Sequence, residues 1–486
     1  TGSDATGTGS QAFPVATVAK AQAKIRSLNT TQARDLTVVV DATVVASPEL
    51  ALVVRDSGKN GHRVKWTGTI DNGARVTGWT VFSGSLYRAA YSGDNMRACW
   101  IDGVRCYRAR RGSGLVSATW TGTGYTTSDM ASTRNPANAE LVYSPYAFTE
   151  SRNVVTAVSG GAITMRSPAH GDITSAFGGT PGSVAPEDVE NCYEDFVGHA
   201  TQGTFYYDEA AGYIYYYPRT GENLATASFI AASGPSVMVS ANGVSAVDFE
   251  GLTLRYNNWD LRPNGFASIA QNMYWDATHP RVLDAGYGDK CAVPPAALYI
   301  AGCTDVNVIG GAYEHLSTMG IHRTSASVDC TMTGVKVDDV ASNGVELGSP
   351  TEALASTASS GLHTKNNRIT RVGMEHLGAA GIVAVFVRDT DIEHNLIEDA
   401  PYIGISFSIG LHAHPEWQTA KVGNNRVRYN LVTRVMTAKL EGAALYVQDV
   451  QNGVSGGTGL DLSSNVATNV RDDYTSLTTS ACGTYL

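Results

Sequence analysis

Four short stretches of the chain repeat one pattern. They are His315-Leu316-Ser317-Thr318-Met319-Gly320-Ile321, Asp339-Val340-Ala341-Ser342-Asn343-Gly344-Val345, His376-Leu377-Gly378-Ala379-Ala380-Gly381-Ile382 and Asp399-Ala400-Pro401-Tyr402-Ile403-Gly404-Ile405. Each sets an ionisable residue five positions before a glycine that opens an apolar strand. The glycines follow one another at 24, 37 and 23 residues. Irregular spacing with constant local pattern marks a coil that repeats in space while its loops vary in length. Equivalent positions of such a coil stack into a column, and this column would carry carboxylates and imidazoles. Segments such as Gly381-Ile382-Val383-Ala384-Val385-Phe386 read as single rungs of a parallel β-helix. A doubly wound α/β fold would need helices between the strands, and no helical period occurs there.

A second signal runs beneath the first, in Asn367-Arg368-Ile369, Asn395-Leu396-Ile397, Asn430-Leu431-Val432 and Asn465-Val466. Asparagine tolerates left-handed backbone, and its amide can bond to the coil above and below. These residues read as a structural ladder. The glycine before each strand reads as the supplier of positive φ at a tight corner.

With 486 residues the chain can bury a large core and hold two structural units. Charged residues make up only 16% while glycines number 51, a balance that suits a β-rich extracellular protein. The net charge of −10 argues against a nucleic-acid partner. No run of about 18 apolar residues offers a membrane span. The opening Thr1-Gly2-Ser3-Asp4 reads like a processed, secreted terminus. Of the seven cysteines, Cys99 with Cys106 and Cys303 with Cys330 could form disulfides, and no Cys-x-x-Cys suggests zinc. No cofactor is expected, although acidic turns could hold a calcium ion. A monomer is expected.

The expected fold is all-β: a right-handed parallel β-helix with an N-terminal capping helix and an inserted antiparallel β-domain. Residues 15–28, rich in alanine and lysine, are the expected helix, covering strand edges that an open coil would expose. The first coil and cap would occupy 1–61. The tyrosine-rich, hairpin-like stretch 62–240, with turns such as Asp71-Asn72-Gly73 and Glu209-Ala210-Ala211-Gly212, would be the insertion. The helix carrying the site would be 241–486.

The charged residues beside the apolar corners are the informative ones. Asp339, Glu375 and Asp399 come from successive coils, and Glu441 follows just before the next strand. Adjacent strands lie about 4.8 Å apart. Carboxylates on neighbouring rungs can therefore stand about 5 Å apart, and those two rungs apart about 9–10 Å, the retaining and inverting glycosidase spacings respectively. His315 and His376 are placed in the same column, while His322, Glu346 and Arg388 sit on or after strands and could line a groove. Trp259, Tyr402 and Trp417 could stack on sugar rings. Trp417 lies in an irregular excursion, Leu411–Thr419, that could cover one end of a cleft.

Pro401-Tyr402-Ile403-Gly404-Ile405-Ser406, preceded by Asp399, resembles the Asp-x-Pro-Tyr-x-Gly-Ile-Ser stretch of secreted parallel β-helix glycoside hydrolases around glycoside hydrolase family 141, with family 120 β-xylosidases as relatives. Glu441-Gly442-Ala443-Ala444-Leu445-Tyr446 is similar to that group's Asp-Gly-Gly-Ala-Ile-Tyr stretch, with Glu in place of Asp. Ile101-Asp102-Gly103-Val104-Arg105, Arg108-Ala109-Arg110 and Gly203-Thr204-Phe205-Tyr206-Tyr207-Asp208 resemble its inserted β-domain. The resemblance implies a carbohydrate substrate and a catalytic pair at Asp399 and Glu441. A family 120-like pairing would instead favour Glu375 with Asp399. Phe407-Ser408-Ile409-Gly410 departs from the glycine- and tryptophan-rich strand of the group, which leaves the sugar open.

Two other readings compete. A polysaccharide lyase or epimerase would use His376, Arg388 or Lys365 against a uronate. A non-catalytic carbohydrate-binding or tailspike-like β-helix needs no chemistry at all.

Overall fold

The computed structural model describes residues 2–44, 48–130, 133–176, 179–261, 263–275, 291–350, 358–407, 423–447, 459–471 and 482–485. Its spine is a parallel β-helix with three faces. Strands Thr304–Ile309, Val328–Thr333, Ser360–Lys365, Asp391–Glu393, Asn425–Arg428 and Leu460–Ser463 stack as the first face. Ala312–Leu316, Lys336–Val340, Arg368–Thr370, Leu396–Ala400, Leu431–Val435 and Val466–Thr468 form the second. Met319–Thr324, Val345–Gly348, Ile382–Val385, Ile405–Phe407, Ala443–Val447 and Cys482–Tyr485 form the third. The long strand Ser245–Arg255 serves two faces, pairing Val247 with Val306 and Leu254 with Tyr313.

Alternation along each strand sends one set of side chains inward. The second face thus stacks Tyr313, Val337, Ile369, Ile397 and Val432 in one buried column. Each buried aliphatic contributes about 1.5–3 kcal/mol, so the coil is held mainly by its dry interior. The asparagine ladder is present: Asn367 donates to Asn395 (2.9 Å), Asn395 to Asn430 (3.0 Å) and Asn430 to Asn465 (2.9 Å). The left-handed residue at this corner is the one before the asparagine, as at Asn366, His394, Tyr429 and Ser464.

The N-terminal helix is Val18–Leu28, starting three residues later than the expected 15. Thr17 caps it, accepting from the Lys20 N–H, and Asp4 binds the Thr17 hydroxyl at 2.6 Å. Ile25 enters the core beside Val38 and Val40, so the helix covers the start of the coil.

The inserted region contributes sheets of four, five and six strands between Ala74 and Ala231. They are antiparallel except for one pair, in which Tyr107–Arg108 runs parallel to Thr204–Asp208. The 62–240 boundaries take in two strands of the coil. Val64–Asp71 pairs in parallel with Leu36–Val44 and Ser245–Arg255, and Val239–Asn242 pairs with Leu50–Val53 and Ala296–Ala301. Aromatic texture had obscured the β-branched ends of this stretch. Neither candidate disulfide is formed: Cys99, Cys106, Cys303 and Cys330 are buried thiols. The Cys303 thiol donates to the Ala241 carbonyl and that of Cys330 to Val328, which turns both toward backbone acceptors.

Candidate active site

The turn from the second face to the third is where the repeated pattern lies, and the structure redraws it. Strand register stacks Tyr256, His315, Asp339, Arg371, Asp399, Arg434 and Asn469 in one column. All seven have φ between +49° and +61°. The ionisable residues, not the glycines, take the left-handed conformation. Gly320, Gly344, Gly381 and Gly404 are required for a different reason. A Cβ on Gly344 would stand 2.6 Å from the Gly381 carbonyl oxygen and 2.5 Å from Ile369, and the other three are as close to the coil that follows. The fifth position of that column is Ala444, not Gly442.

His376 therefore does not share the column of His315; Arg371 does. Arg371 stands ten residues before Gly381, whereas Asp339 and Asp399 stand five before their glycines. The extra residues push Gly373–His376 out over the preceding coil, where Met374, Glu375 and His376 donate backbone N–H groups to Val340 and Ala341. The coil of Glu441 is expanded in the same way, with ten residues from Arg434 to Ala444. Its Leu440 N–H reaches the Ala147 carbonyl of the inserted region, and Lys439 Nζ reaches Ser144 Oγ at 3.0 Å. Both expanded corners thus lie against the insertion.

At the first expanded corner the insertion supplies a buried ionic cluster. Arg97 bonds to Glu375 and to Glu140. Arg108 bonds Glu140 at 2.9 Å and stands 3.9 Å from Glu375. Arg152 bonds Glu190 and Glu150, and its second terminal nitrogen donates to the Glu375 carbonyl at 2.7 Å. Arg110 stands 3.3 Å from Glu190. Four guanidiniums thus meet four glutamates. Burial opposes charge on Glu140, but Arg108 and Arg97 overcome it and hold the carboxyl far below its ordinary range. A cavity of about 90 Å³ opens here, lined by Arg97, Arg108, Arg110, Arg152, Glu190 and Glu375. That is room for a few water molecules, each taking about 30 Å³.

Asp339 is wholly buried one coil earlier. It accepts from Arg105 Nε (2.5 Å), Trp100 Nε1 (2.6 Å) and His315 Nδ1 (2.7 Å). His315 also stacks on Tyr256 at 5.4 Å between centroids. Burial alone would raise the Asp339 carboxyl; Arg105 and His315 outweigh it and hold it down to about 2. These contacts fasten the insertion to the coil.

Asp399 lies one coil beyond Glu375, part-exposed, with both oxygens bonded to the Arg434 guanidinium (2.6 and 3.1 Å). Glu441 is exposed at the next corner, and among the described residues its carboxylate has no hydrogen bond or ion pair. Tyr402 is buried, and its hydroxyl donates to the Glu441 carbonyl at 2.9 Å, fixing that corner's backbone.

The remaining candidates lie elsewhere. His376 is buried against Phe266 and Trp259, with neither ring nitrogen bonded among the described residues. Burial, then Arg152 and Arg97, push its imidazole well below the usual range. His376 and Trp259 are thus packing residues of the 256–275 excursion. His322 and Glu346 belong to an outward row on the third face, Tyr299, His322, Glu346, Val383, Ser406 and Tyr446. His322 donates through Nε2 to the Gly348 carbonyl at 2.7 Å, and burial lowers it to about 4, against the pull of that carbonyl. Glu346 accepts from Asn343 at 3.2 Å. Arg388 lies three residues past the third-face strand Ile382–Val385, bridged to Gly423 and to Ser360 at the start of the first face. Trp417 lies outside the described residues. The arginines of the insertion were missed. Their signal is the period-two run Arg108-Ala109-Arg110, but nothing local ties it to Glu375, more than 250 residues away.

No family model and no curated protein matches the chain. Among solved structures, one described as "Glycoside hydrolase" superposes with a TM-score of 0.76 at 22% identity, covering 92% of this chain and 84% of that one. The complex of XylC with xylose matches at a TM-score of 0.46 and 11% identity, over 92% of this chain and 62% of that one. The chain therefore has the parallel β-helix fold of a solved glycoside hydrolase, insertion included in the span compared.

Proposed function

We propose that this protein is a secreted glycoside hydrolase that cleaves a glycosidic bond with two carboxylates, Asp399 and Glu441. One observation carries the reading. Three consecutive coils present Glu375, Asp399 and Glu441 at one corner, and the two expanded coils of that corner rest against the insertion. The two oxygens of Asp399 are oriented by Arg434, which suits a group that attacks or activates water in one direction. Glu441 has freedom to turn, which suits proton delivery to a leaving-group oxygen. Asp339 is reserved for fastening the insertion, since all its bonds point to Arg105, Trp100 and His315.

Relative to the glycine column, Asp399 stands five residues back and Glu441 three. An offset of two residues adds up to about 6.6 Å along the chain to the rung spacing of about 4.8 Å. The pair can then open to about 8 Å, in the range where a water fits between the sugar and the base. The reading is therefore inversion, with Glu441 as acid and Asp399 as base. Glu375 is the alternative partner, and the ion pairs that hold it make it the weaker candidate.

A lyase reading gains little from the arginines, because each already faces a glutamate. The test is a panel of aryl glycosides and polysaccharides with NMR of the first-formed anomer. Inversion is expected; retention would move the pair to a closer set, and an unsaturated product would replace hydrolysis by elimination. Neither a bound metal nor any other cofactor is part of this proposal.

A further inference from the structure

A second concavity lies within the insertion, with a volume of about 730 Å³. That is within the range of small-molecule sites, about 300–1,000 Å³. Its wall includes Trp79, Tyr87 and Tyr217, all half-buried, so each ring is fixed yet part-open. Trp79 is held by Phe229, 4.8 Å between centroids, and by Tyr216 at 6.1 Å. Exposed Gln202 and Asn223 stand at the rim. The Gln202 carbonyl accepts from the Thr220 N–H and hydroxyl, both at 3.0 Å, which orients its amide and leaves the NH₂ unbonded among the described residues. The one carboxylate, Glu222, is spent on Arg219 at 2.9 Å and the Tyr216 hydroxyl at 2.6 Å. No histidine or cysteine lines the cavity.

Fixed aromatic faces match the C–H faces of sugar rings, and an oriented amide matches vicinal hydroxyls. With its acid paired to Arg219 and no histidine or cysteine in the lining to activate the Thr77 and Ser85 hydroxyls, the cavity has the chemistry of binding and lacks that of a reaction. We propose that it holds a short stretch of a neutral glycan, an inference that rests on the glycoside hydrolase reading for its role but not for its binding chemistry. Its position supports a second hold on a long chain. Gly203, next to Gln202, accepts from the Tyr107 N–H at 2.9 Å, and Tyr107 lines the arginine cavity at the corner. The linings of the two cavities are thus linked through one short strand pair. Two linked sites raise the effective concentration of a polymer at the second without new contacts at the first.

The test is affinity electrophoresis of Glu441→Gln protein in gels containing arabinoxylan, xyloglucan or galactan. Retardation by at least one is expected. Adding Trp79→Ala should weaken it at least fivefold, and so should Gln202→Ala, an exposed change that leaves packing alone. Retardation unchanged within twofold in both variants, or no retardation by any of the three, overturns the proposal. With active enzyme, the same variants should lower kcat/KM on the retarding polymer while leaving aryl glycoside turnover unchanged; an equal fall on both overturns a separate site. If retardation depends on Trp79 and Gln202 but no glycoside is cleaved, the binding site stands and the hydrolase reading falls.

Discussion

Plain and expanded corners of the same coil behave differently. At the plain corners, five residues lead from Asp339 to Gly344 and from Asp399 to Gly404. At the expanded ones, ten lead from Arg371 to Gly381 and from Arg434 to Ala444. The strands on either side keep their register in both cases. Plain corners leave their ionisable residue in the left-handed column, where it pairs with its stacked neighbours. Expanded corners lift a glutamate out of that column, toward the insertion. The difference teaches that the column organises backbone, while the glutamates with distinctive surroundings arise where the repeat is interrupted.

The largest expected effect is on turnover: Glu441→Gln, at an expanded corner, should lower kcat by at least about 10³, which is about 4 kcal/mol of barrier, with the melting temperature unchanged. Asp399→Asn should do the same. Asp339→Asn, at a plain corner, should act on stability instead. Weakening a buried ion pair costs about 3–5 kcal/mol, read by urea unfolding, while kcat of the folded fraction stays within about tenfold. A large kcat loss without destabilisation would move Asp339 into the reaction.

Gly344→Ala comes next. Its methyl would meet the Gly381 carbonyl and Ile369, costing about 3 kcal/mol or more. Ala444→Gly, at a position of that column that already carries a methyl group, should cost only about 0.5–1 kcal/mol. Equal losses would show that the glycine column does not depend on close approach.

Acid should act in two windows. His322 has its folded value depressed to about 4 by burial, and burial also holds His376 well below the usual range. The unfolded chain binds protons at these sites from about pH 6.5 downward, so stability falls as pH drops from about 6.5 toward 4. Asp339, depressed to about 2, contributes stability that is present above about pH 4 and is lost as pH falls toward 2. Unfolding free energy measured against pH should show both slopes, and Asp339→Asn should reduce the lower one, which Asp391, Asp338 and Glu140 share. Comparably small is the effect at the ladder end: Asn465→Ala should cost about 1 kcal/mol, less than Asn430→Ala, which leaves partners on both sides unpaired.

Much of this architecture could be read in the residues. The Asn367, Asn395, Asn430 and Asn465 repeat announced a ladder because each asparagine opens an apolar strand with the same phase. The glycines located the corners correctly, but for the wrong conformational reason. A left-handed residue costs little when its neighbours' ladder bonds hold it, so aspartate, arginine and histidine serve, whereas the steric contact above Gly344 is visible only with the next coil in place. His376 was misplaced because counting back from a glycine cannot detect five extra residues. The arginines on Glu375 were illegible for a simpler reason. Arg97, Arg108 and Arg152 arrive from a separate set of sheets, and sequence spacing holds no record of such docking.

The expanded corners carry a consequence for how such a protein can change. Residues 372–380 and 436–442 can gain or lose length without altering any strand pair, since the strands beside them stay in register. Insertion or deletion at these two points can therefore proceed in single steps, each leaving the stacked coil intact, and under the proposed function these are the points where a sugar preference would change. Deep point substitution would reach the same end only through the crowded interior.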